Sequence, residues 1–207
     1  LYGGFAGVET TREQRDWVAN LTVLSGDIGG DDPTDGTGVV IDAADIIGEN
    51  SHHVVWLDGE THQPITERTV LDGFTITAGQ ANGSGADTDG GGLYCAGSGD
   101  RAGCSPILAN VAFRGNAAQR GGAVFNHGED GISSPGLAHV AFSGNRAQDQ
   151  GGAMFNHGHY HGDSSPSLTH VTFSGNSAQG DGGAMFNDGH YLGRSDPALD
   201  QVTFSGN

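Results

Sequence analysis

The sequence contains no lysine, so its eight basic residues are all arginines, and 25 acidic residues outnumber them. The formal net charge of −17 argues against nucleic acid and anionic membranes as partners, because both bind clustered Lys and Arg side chains. Apolar runs are only a few residues long, so we expect no segment to insert into a membrane. The absence of lysine and of long apolar runs therefore indicates an acidic protein with no membrane-inserted segment.

Cysteine is also scarce: Cys95 and Cys104 bracket eight residues of glycine-rich sequence. In a reducing cytosol they are free thiols, whereas in a secreted protein they form a small disulfide loop that contributes about 2.5–3 kcal/mol in the chain-entropy model. The acidic composition favours the second setting, an extracellular or cell-surface protein that is secreted or associated with an outer membrane. We expect a single domain, 1–207. Because the sequence starts at Leu1 without a Met or a leader, we expect this domain to be a piece of a longer chain.

Glycine, in contrast, is abundant, with 38 residues, and much of it lies in an internal repeat. Units that begin at Pro106, Pro135, Pro166 and Pro197 follow one another after 29, 31 and 31 residues. Each contains Val-x-Phe-x-Gly-Asn, and the first three continue with Gly-Gly-Ala-[Val/Met]-Phe-Asn. An older copy starts near Phe74. The valine and phenylalanine two positions apart share one side of a strand, which is the period-2 pattern of β-structure.

The repeat predicts an all-β fold, a right-handed parallel β-helix (solenoid) with about 30 residues per coil in its regular half. Helical repeats are excluded because no unit has a stretch of helix formers with a period of 3.6. We expect irregular coils over 1–68 and regular repeats over 69–207, roughly seven to eight coils in all. Strands are predicted at 21–28, 38–43, 53–59 and 69–77, and one helical turn within 11–20.

Several columns of equivalent residues are expected when the coils stack. The predicted core is formed by Val111, Phe113, Val140, Phe142, Val171, Phe173, Val202 and Phe204, with Phe125, Phe155 and Phe186 from the second strand. Two asparagine columns are predicted, the first at bends that need a positive φ: Asn116, Asn145, Asn176 and Asn207, and then Asn126, Asn156 and Asn187. The pairs Gly121-Gly122, Gly151-Gly152 and Gly182-Gly183 let the backbone turn closely. His139 and His170 share a place with Asn110 and Gln201 in a polar outer column.

The motifs Gly-Gly-Ala-[Val/Met]-Phe-Asn and Phe-x-Gly-Asn resemble the Gly-Gly-Ala and Phe-x-x-Asn repeats of the chlamydial polymorphic outer membrane proteins. More widely, LYGGFAGVET, TVLSGDI and VLDGFTITAG look like a group of secreted bacterial right-handed β-helix proteins with the pectate-lyase-like fold. The resemblance implies a large surface or secreted protein, whose repeats continue beyond this chain and which often carries a C-terminal anchoring or secretion domain.

Two functions are compatible with this fold. The first is a non-enzymatic rod that serves adhesion, by binding glycans or surface proteins, or acts as a stalk. The alternative is a polysaccharide lyase or glycoside hydrolase acting in a groove on one face. Lyases of this fold need Ca²⁺ and an Arg or Lys base, and hydrolases need paired carboxylates. No catalytic residues stand out, so the sequence favours the rod without deciding the question.

Two clusters are candidates for metal binding. Asp27, Asp31, Asp32 and Asp35 lie on glycine-rich turns and predict a calcium site, although ordinary turn aspartates are the alternative interpretation. His157, His159 and His161 alternate in the sequence, so on an extended segment they share one face and predict a transition-metal site. Here the alternative is a solvated loop. Calcium is the one cofactor that the sequence suggests.

Overall fold

The computed structural model describes residues 1–207 and contains twenty short β-strands, three 3-10 helices and no α-helix. The 3-10 helices are Arg12–Gln14, Ala43–Asp45 and Gly85–Thr88. The strands are β1 Val23–Ser25, β2 Val55–Asp58, β3 Val70–Asp72, β4 Thr75–Thr77, β5 Gln80–Ala81, β6 Leu93–Ala96, β7 Ile107–Ala109, β8 Ala112–Arg114, β9 Ala117–Arg120, β10 Val124–His127, β11 Gly136–Ala138, β12 Ala141–Ser143, β13 Arg146–Gln150, β14 Met154–His157, β15 Ser167–Thr169, β16 Thr172–Ser174, β17 Ser177–Ala178, β18 Met185–Asp188, β19 Ala198–Asp200 and β20 Thr203–Ser205. No helix is long and apolar enough to cross a bilayer.

The strands form four parallel sheets, and the chain visits each sheet once per coil. The sheets have the orders β1-β4-β8-β12-β16-β20, β3-β7-β11-β15-β19, β5-β9-β13-β17 and β2-β6-β10-β14-β18. We call the last one the Phe-Asn sheet, because its regular strands carry the Phe-Asn pair. This pattern confirms the predicted parallel β-helix; the right-handed sense of the winding stays a prediction.

The number of coils is smaller than the seven to eight predicted. Four coils are complete, namely β3–β6, β7–β10, β11–β14 and β15–β18; an earlier coil contributes β1 and β2, and a last one contributes β19 and β20. The six-stranded sheet therefore extends about 24 Å along the axis at about 4.8 Å per strand.

The shortfall arises at residues 27–50, which leave the coil instead of forming another one. The predicted strand 38–43 is wrong, because this segment runs across the bends of coils that follow it in the sequence. There Val40 exchanges two hydrogen bonds of 3.0 Å with the Thr77 hydroxyl, and the Ala43 N–H donates to the Gly144 carbonyl. Val40, Ala43, Ile46 and Ala78 form a small apolar cluster of their own, which replaces packing inside a coil. The other three predicted strands and the helical turn within 11–20 are confirmed by β1 to β4 and the first 3-10 helix.

The interior of the helix is a stack of apolar side chains in register. Phe113, Phe142, Phe173 and Phe204 stack face to face with ring centroids 4.7–5.0 Å apart. The valines two positions earlier lie in the same core, with Val202 partly buried. Phe204 in the last coil is 46% exposed. The core that the Val-x-Phe motif predicts is therefore present, and only its last coil is open to water.

Phe125, Phe155 and Phe186 do not belong to that core, contrary to the prediction. Successive residues of a strand point to opposite faces, and Val124 with Asn126 takes the inner face. The three phenylalanines lie on the outer face of the Phe-Asn sheet with Tyr94, in a separate cluster. Phe125 and Phe155 are still only 1% exposed, because the Arg120 guanidinium lies over both rings, 5.1 and 5.2 Å from their centroids.

Both asparagine columns are ladders of side-chain hydrogen bonds. The Asn116, Asn145 and Asn176 amides each donate to the oxygen of the next asparagine in the column at 2.8–3.0 Å. The second column is linked by bonds of 2.7 Å. The prediction that these asparagines adopt a positive φ is wrong, because the positive φ falls on the residue before each one: Gly115, Gly144, Gly175 and Gly206. The asparagines are placed by hydrogen bonding to buried backbone.

The glycine pairs turn the chain as predicted, with a different role for each member. Gly121, Gly151 and Gly182 have φ values of +60° to +69°. The second glycine is needed for space: a Cβ on Gly152 would collide with the carbonyl oxygen of Gly183 in the next coil.

Two further sequence predictions concern the outer histidine column and the cysteines. The column of Asn110, His139, His170 and Gln201 sits at a bend, with φ values of +51° to +55°, and the two imidazoles stack 4.8 Å apart. The predicted disulfide is present: Cys95 and Cys104 are bonded and their Cα atoms are 5.6 Å apart.

Candidate metal centre

Two columns of residues, most of them ionisable, lie on the outer face of the Phe-Asn sheet, and five successive coils contribute to them. The first column is set by the strand register and consists of Asp58, Ala96, His127, His157 and Asp188. The second column lies two residues further along each coil and consists of Glu60, Ser98, Glu129, His159 and His190. A single glycine separates the two positions in every coil, so the columns run side by side.

Aromatic rings form the wall beside these columns. Trp56, Tyr94, Phe125, Phe155 and Phe186 stack with centroids 4.5–5.3 Å apart along the helix axis. This wall removes water from one side of the neighbouring column.

His157 is the most buried ionisable group of the columns, with 7% of the residue exposed. Its ring stacks on His127 at 5.5 Å and lies 4.2 Å from the ring of His159, between centroids. The Nδ1 atom is buried and has no hydrogen-bond partner. Burial, together with the nearby His159 and His127, lowers the pKa of His157 to about 3, so the imidazole is neutral at pH 7.

Asp188 brings its carboxylate to this group from the next coil. One oxygen lies 2.5 Å from Nδ1 of His190, and the other lies 2.7 Å from Nε2 of His159. The second contact pairs His159 Nε2 with the carboxylate, although its angle falls short of a regular hydrogen bond. Burial by itself raises the pKa of Asp188, but the His190 hydrogen bond and the His159 imidazole outweigh it, and the pKa is lowered overall.

The coil before carries a second, differently occupied group. His127 Nδ1 is 2.9 Å from the Tyr94 hydroxyl and 3.4 Å from a Glu60 oxygen, while its Nε2 lies 3.5 Å from Glu129. Burial is the main cause that raises the pKa of Tyr94, so its hydroxyl remains protonated and is able to donate. Both nitrogens of His127 therefore already face partners.

The structure brings together two of the three predicted histidines. His157, His159 and Asp188 each offer a ligand atom, and these atoms lie within 4.8 Å of one another. His161 is not part of the group, because Tyr160 has a φ of +54° and interrupts the extended alternation; its ring lies 3.6 Å from Asp130 instead. Asp188 was missed, although it occupies the place of His157 in the repeat alignment.

The aspartates predicted to bind calcium are gathered only in part. Asp27, Asp31 and Asp32 offer oxygens within 4.8 Å of one another. Asp27 accepts hydrogen bonds from the backbone N–H groups of residues 30, 31 and 32, and Asp32 accepts from the Ile47 N–H and the Asn50 amide. Asp35 lies outside the group and accepts bonds from Thr37. Calcium binding here stays a prediction.

The fold and the repeat define the class of the chain: it is a parallel β-helix repeat protein. The Chlamydia polymorphic membrane protein (Chlamydia_PMP) repeat matches residues 170–184, which form the middle of one unit, including β16, β17 and the Gly-Gly turn. The matched segment contains the Phe-x-Gly-Asn and Gly-Gly-Ala motifs, so this part of the chain is similar to the polymorphic membrane protein repeat. A search of curated proteins and a search of solved structures each returned no match to the chain.

Proposed function

We propose that the chain is the β-helical rod of a secreted or outer-membrane-associated surface protein and that it serves adhesion by binding glycans or proteins. The observation that carries this proposal is an exposed aromatic pair: Tyr160 and Tyr191 stack at 5.5 Å between centroids and are 43% and 70% exposed. The repeat type, named for membrane proteins, supports the surface location.

The tyrosine pair has the chemistry of a sugar-binding platform. A flat aromatic face packs against the apolar face of a sugar ring, and its hydroxyl remains available for a hydrogen bond. Polar groups that are able to bond to sugar hydroxyls surround a shallow pocket of about 300 Å³ in the same turn, among them His190, Arg194 and Asp196. The net charge of −17 favours neutral glycans over uronic acids.

The test is binding of the whole chain to an array of neutral and acidic glycans, followed by Tyr160→Ala, Tyr191→Ala and Phe5→Ala. Phe5 is 43% exposed at the opposite end of the sequence and serves as the matched control. We expect binding to neutral glycans that either tyrosine variant weakens at least tenfold and Phe5→Ala leaves within twofold. Equal binding by all variants would refute the tyrosine platform.

The alternative function, a polysaccharide lyase or glycoside hydrolase, is tested with the same samples. An Asp/Arg cluster on adjacent coils is the feature that favours an enzyme, and Asp89 and Arg120 are such a pair, joined by bonds of 2.7 and 3.0 Å. The Asp89 carboxylate, however, is buried, and the guanidinium covers phenylalanine rings. New reducing ends or unsaturated products after incubation with glycans would show that the chain is an enzyme and would refute the proposed non-enzymatic rod.

A further inference from the structure

We propose that His157, His159 and Asp188 bind one divalent transition-metal ion, with zinc as the expected metal, on the outer face of the Phe-Asn sheet. The site adjoins the tyrosine platform, since the His159 ring lies 6.0 Å from the rings of Tyr160 and Tyr191, but the proposal does not rest on the adhesive role.

The scaffold places the three donors without a flexible loop. His157 ends β14, Gly158 turns the chain, and His159 follows; Asp188 ends β18, which pairs with β14 in register. Their ligand atoms lie within 4.8 Å of one another. A zinc ion with bonds of about 2.0–2.2 Å to nitrogen and oxygen holds its ligands about 3.3 Å apart. Small side-chain rotations therefore suffice to bring the donors to bonding distance.

An independent observation points to a ligand at this place. The Nδ1 atom of His157 is buried, in a residue only 7% exposed, and has no hydrogen-bond partner. Nε2 of His159 is also buried, and it faces the Asp188 carboxylate at 2.7 Å. Unpartnered buried polar atoms are rare in folded proteins because they lose their bonds to water without replacement. A metal ion on Nδ1 of His157 gives this nitrogen the partner that it lacks.

The donor set selects the kind of ion. Two imidazole nitrogens and one carboxylate oxygen suit Zn²⁺, which takes three protein ligands and leaves a fourth position to water or another group. Ca²⁺ and Mg²⁺ prefer six or more oxygen ligands and are not expected here. The neighbouring group of His127, Glu129 and His157 is less suitable, because it shares His157 and because Nδ1 of His127 already pairs with the Tyr94 hydroxyl at 2.9 Å. One ion per chain is therefore expected.

The experiment is titration of the whole chain, without a histidine tag and stripped with a chelator, with ZnCl₂ and separately with CoCl₂. Co²⁺ reports its geometry through visible absorption, and CaCl₂ is the negative control. The variants are His159→Gln and Asp188→Asn, with His161→Gln as matched control, because His161 lies in the same segment but outside the group. We expect one Zn²⁺ per chain, affinity lowered at least tenfold in the first two variants, and a change within twofold in the control.

Each alternative outcome overturns the proposal. Absence of saturable Zn²⁺ binding, or an equal loss in His161→Gln and His159→Gln, means that the cluster is not the site. Tight binding that His127→Gln abolishes and Asp188→Asn leaves intact assigns the ion to the neighbouring group. His157→Gln is not used as a primary variant, because the buried His157 ring also packs against His127 and its replacement could lower stability as well as metal affinity. Circular dichroism of each variant verifies that the β-helix is folded.

Discussion

The inner asparagine ladder offers the sharpest test of what stabilises the fold, through the variant Asn145→Ala. The Asn145 side chain makes four hydrogen bonds of 2.9–3.1 Å: its oxygen accepts from the backbone and the amide of Asn116, and its amide donates to Phe113 and Asn176. The residue is only 1% exposed, so water does not replace these bonds. Truncation also leaves the buried Asn116 N–H without an acceptor.

At about 1 kcal/mol net for each bond, and somewhat more for the orphaned N–H, Asn145→Ala lowers the free energy of unfolding by about 4–5 kcal/mol. For a chain of this size that corresponds to a decrease in Tm of about 8–20 °C. The matched control is Asn207→Ala, at the exposed end of the same ladder, where water replaces the three lost bonds. There we expect a cost of about 1 kcal/mol.

The assay is thermal and urea unfolding followed by circular dichroism and by fluorescence, since coincident transitions are needed to compare free energies in a repeat protein. Equal Tm shifts for Asn145→Ala and Asn207→Ala would refute the reasoning, because burial would then not determine the strength of the ladder.

Three further predictions follow from single features. Gly152→Val leaves no room beside the next coil and lowers Tm by more than 10 °C, or prevents folding, in the same melts; a shift of one or two degrees contradicts the placement of the bend. Replacing Cys95 and Cys104 together by serine lowers the free energy of unfolding by about 2.5–3 kcal/mol, and wild type in reductant must show the same loss. The hydroxyl and N–H of Thr61 hold the pKa of Asp58 at about 2, so its carboxylate stays ionised until the pH falls to that value. In an NMR titration, Thr61→Ala raises the pKa of Asp58 toward the ordinary value of an aspartate. An unchanged pKa of Asp58 in this variant contradicts the prediction.

Most of the fold could be predicted from the repeat, because each unit places equivalent residues on equivalent strands. Period 2 in Val-x-Phe identified the inner face, and the recurrence of Asn145 and Asn176 identified a ladder. The same alternation, applied to Gly-Gly-Ala-Val-Phe-Asn, puts Val124 and Asn126 inside and Phe125 outside. The error came from assigning a large apolar residue to the core by hydrophobicity alone, whereas Arg120 covers that outer ring.

The remaining differences depend on contacts that no local pattern encodes. Segment 38–43 has the composition of a strand, but tertiary hydrogen bonding to Thr77 holds it outside the coil. The histidine group was predicted from alternation along the chain, which fails at Tyr160 because one positive φ redirects His161. Asp188 reaches the group across coils, so only comparison between repeats could find it.

In-register stacking of the Phe-Asn sheet makes each coil of the regular part a repeated module of 29–31 residues. The repeated phenylalanines and asparagines meet their own equivalents in the coils on either side, so these inter-coil contacts recur at each step. Insertion or deletion of a whole module therefore changes the length of the protein while keeping the phenylalanine and asparagine stacks continuous. Copying the stretch that contains His157 and His159 would likewise change the number of imidazole pairs along the face, so reach and ligand capacity are adjustable by gene duplication alone.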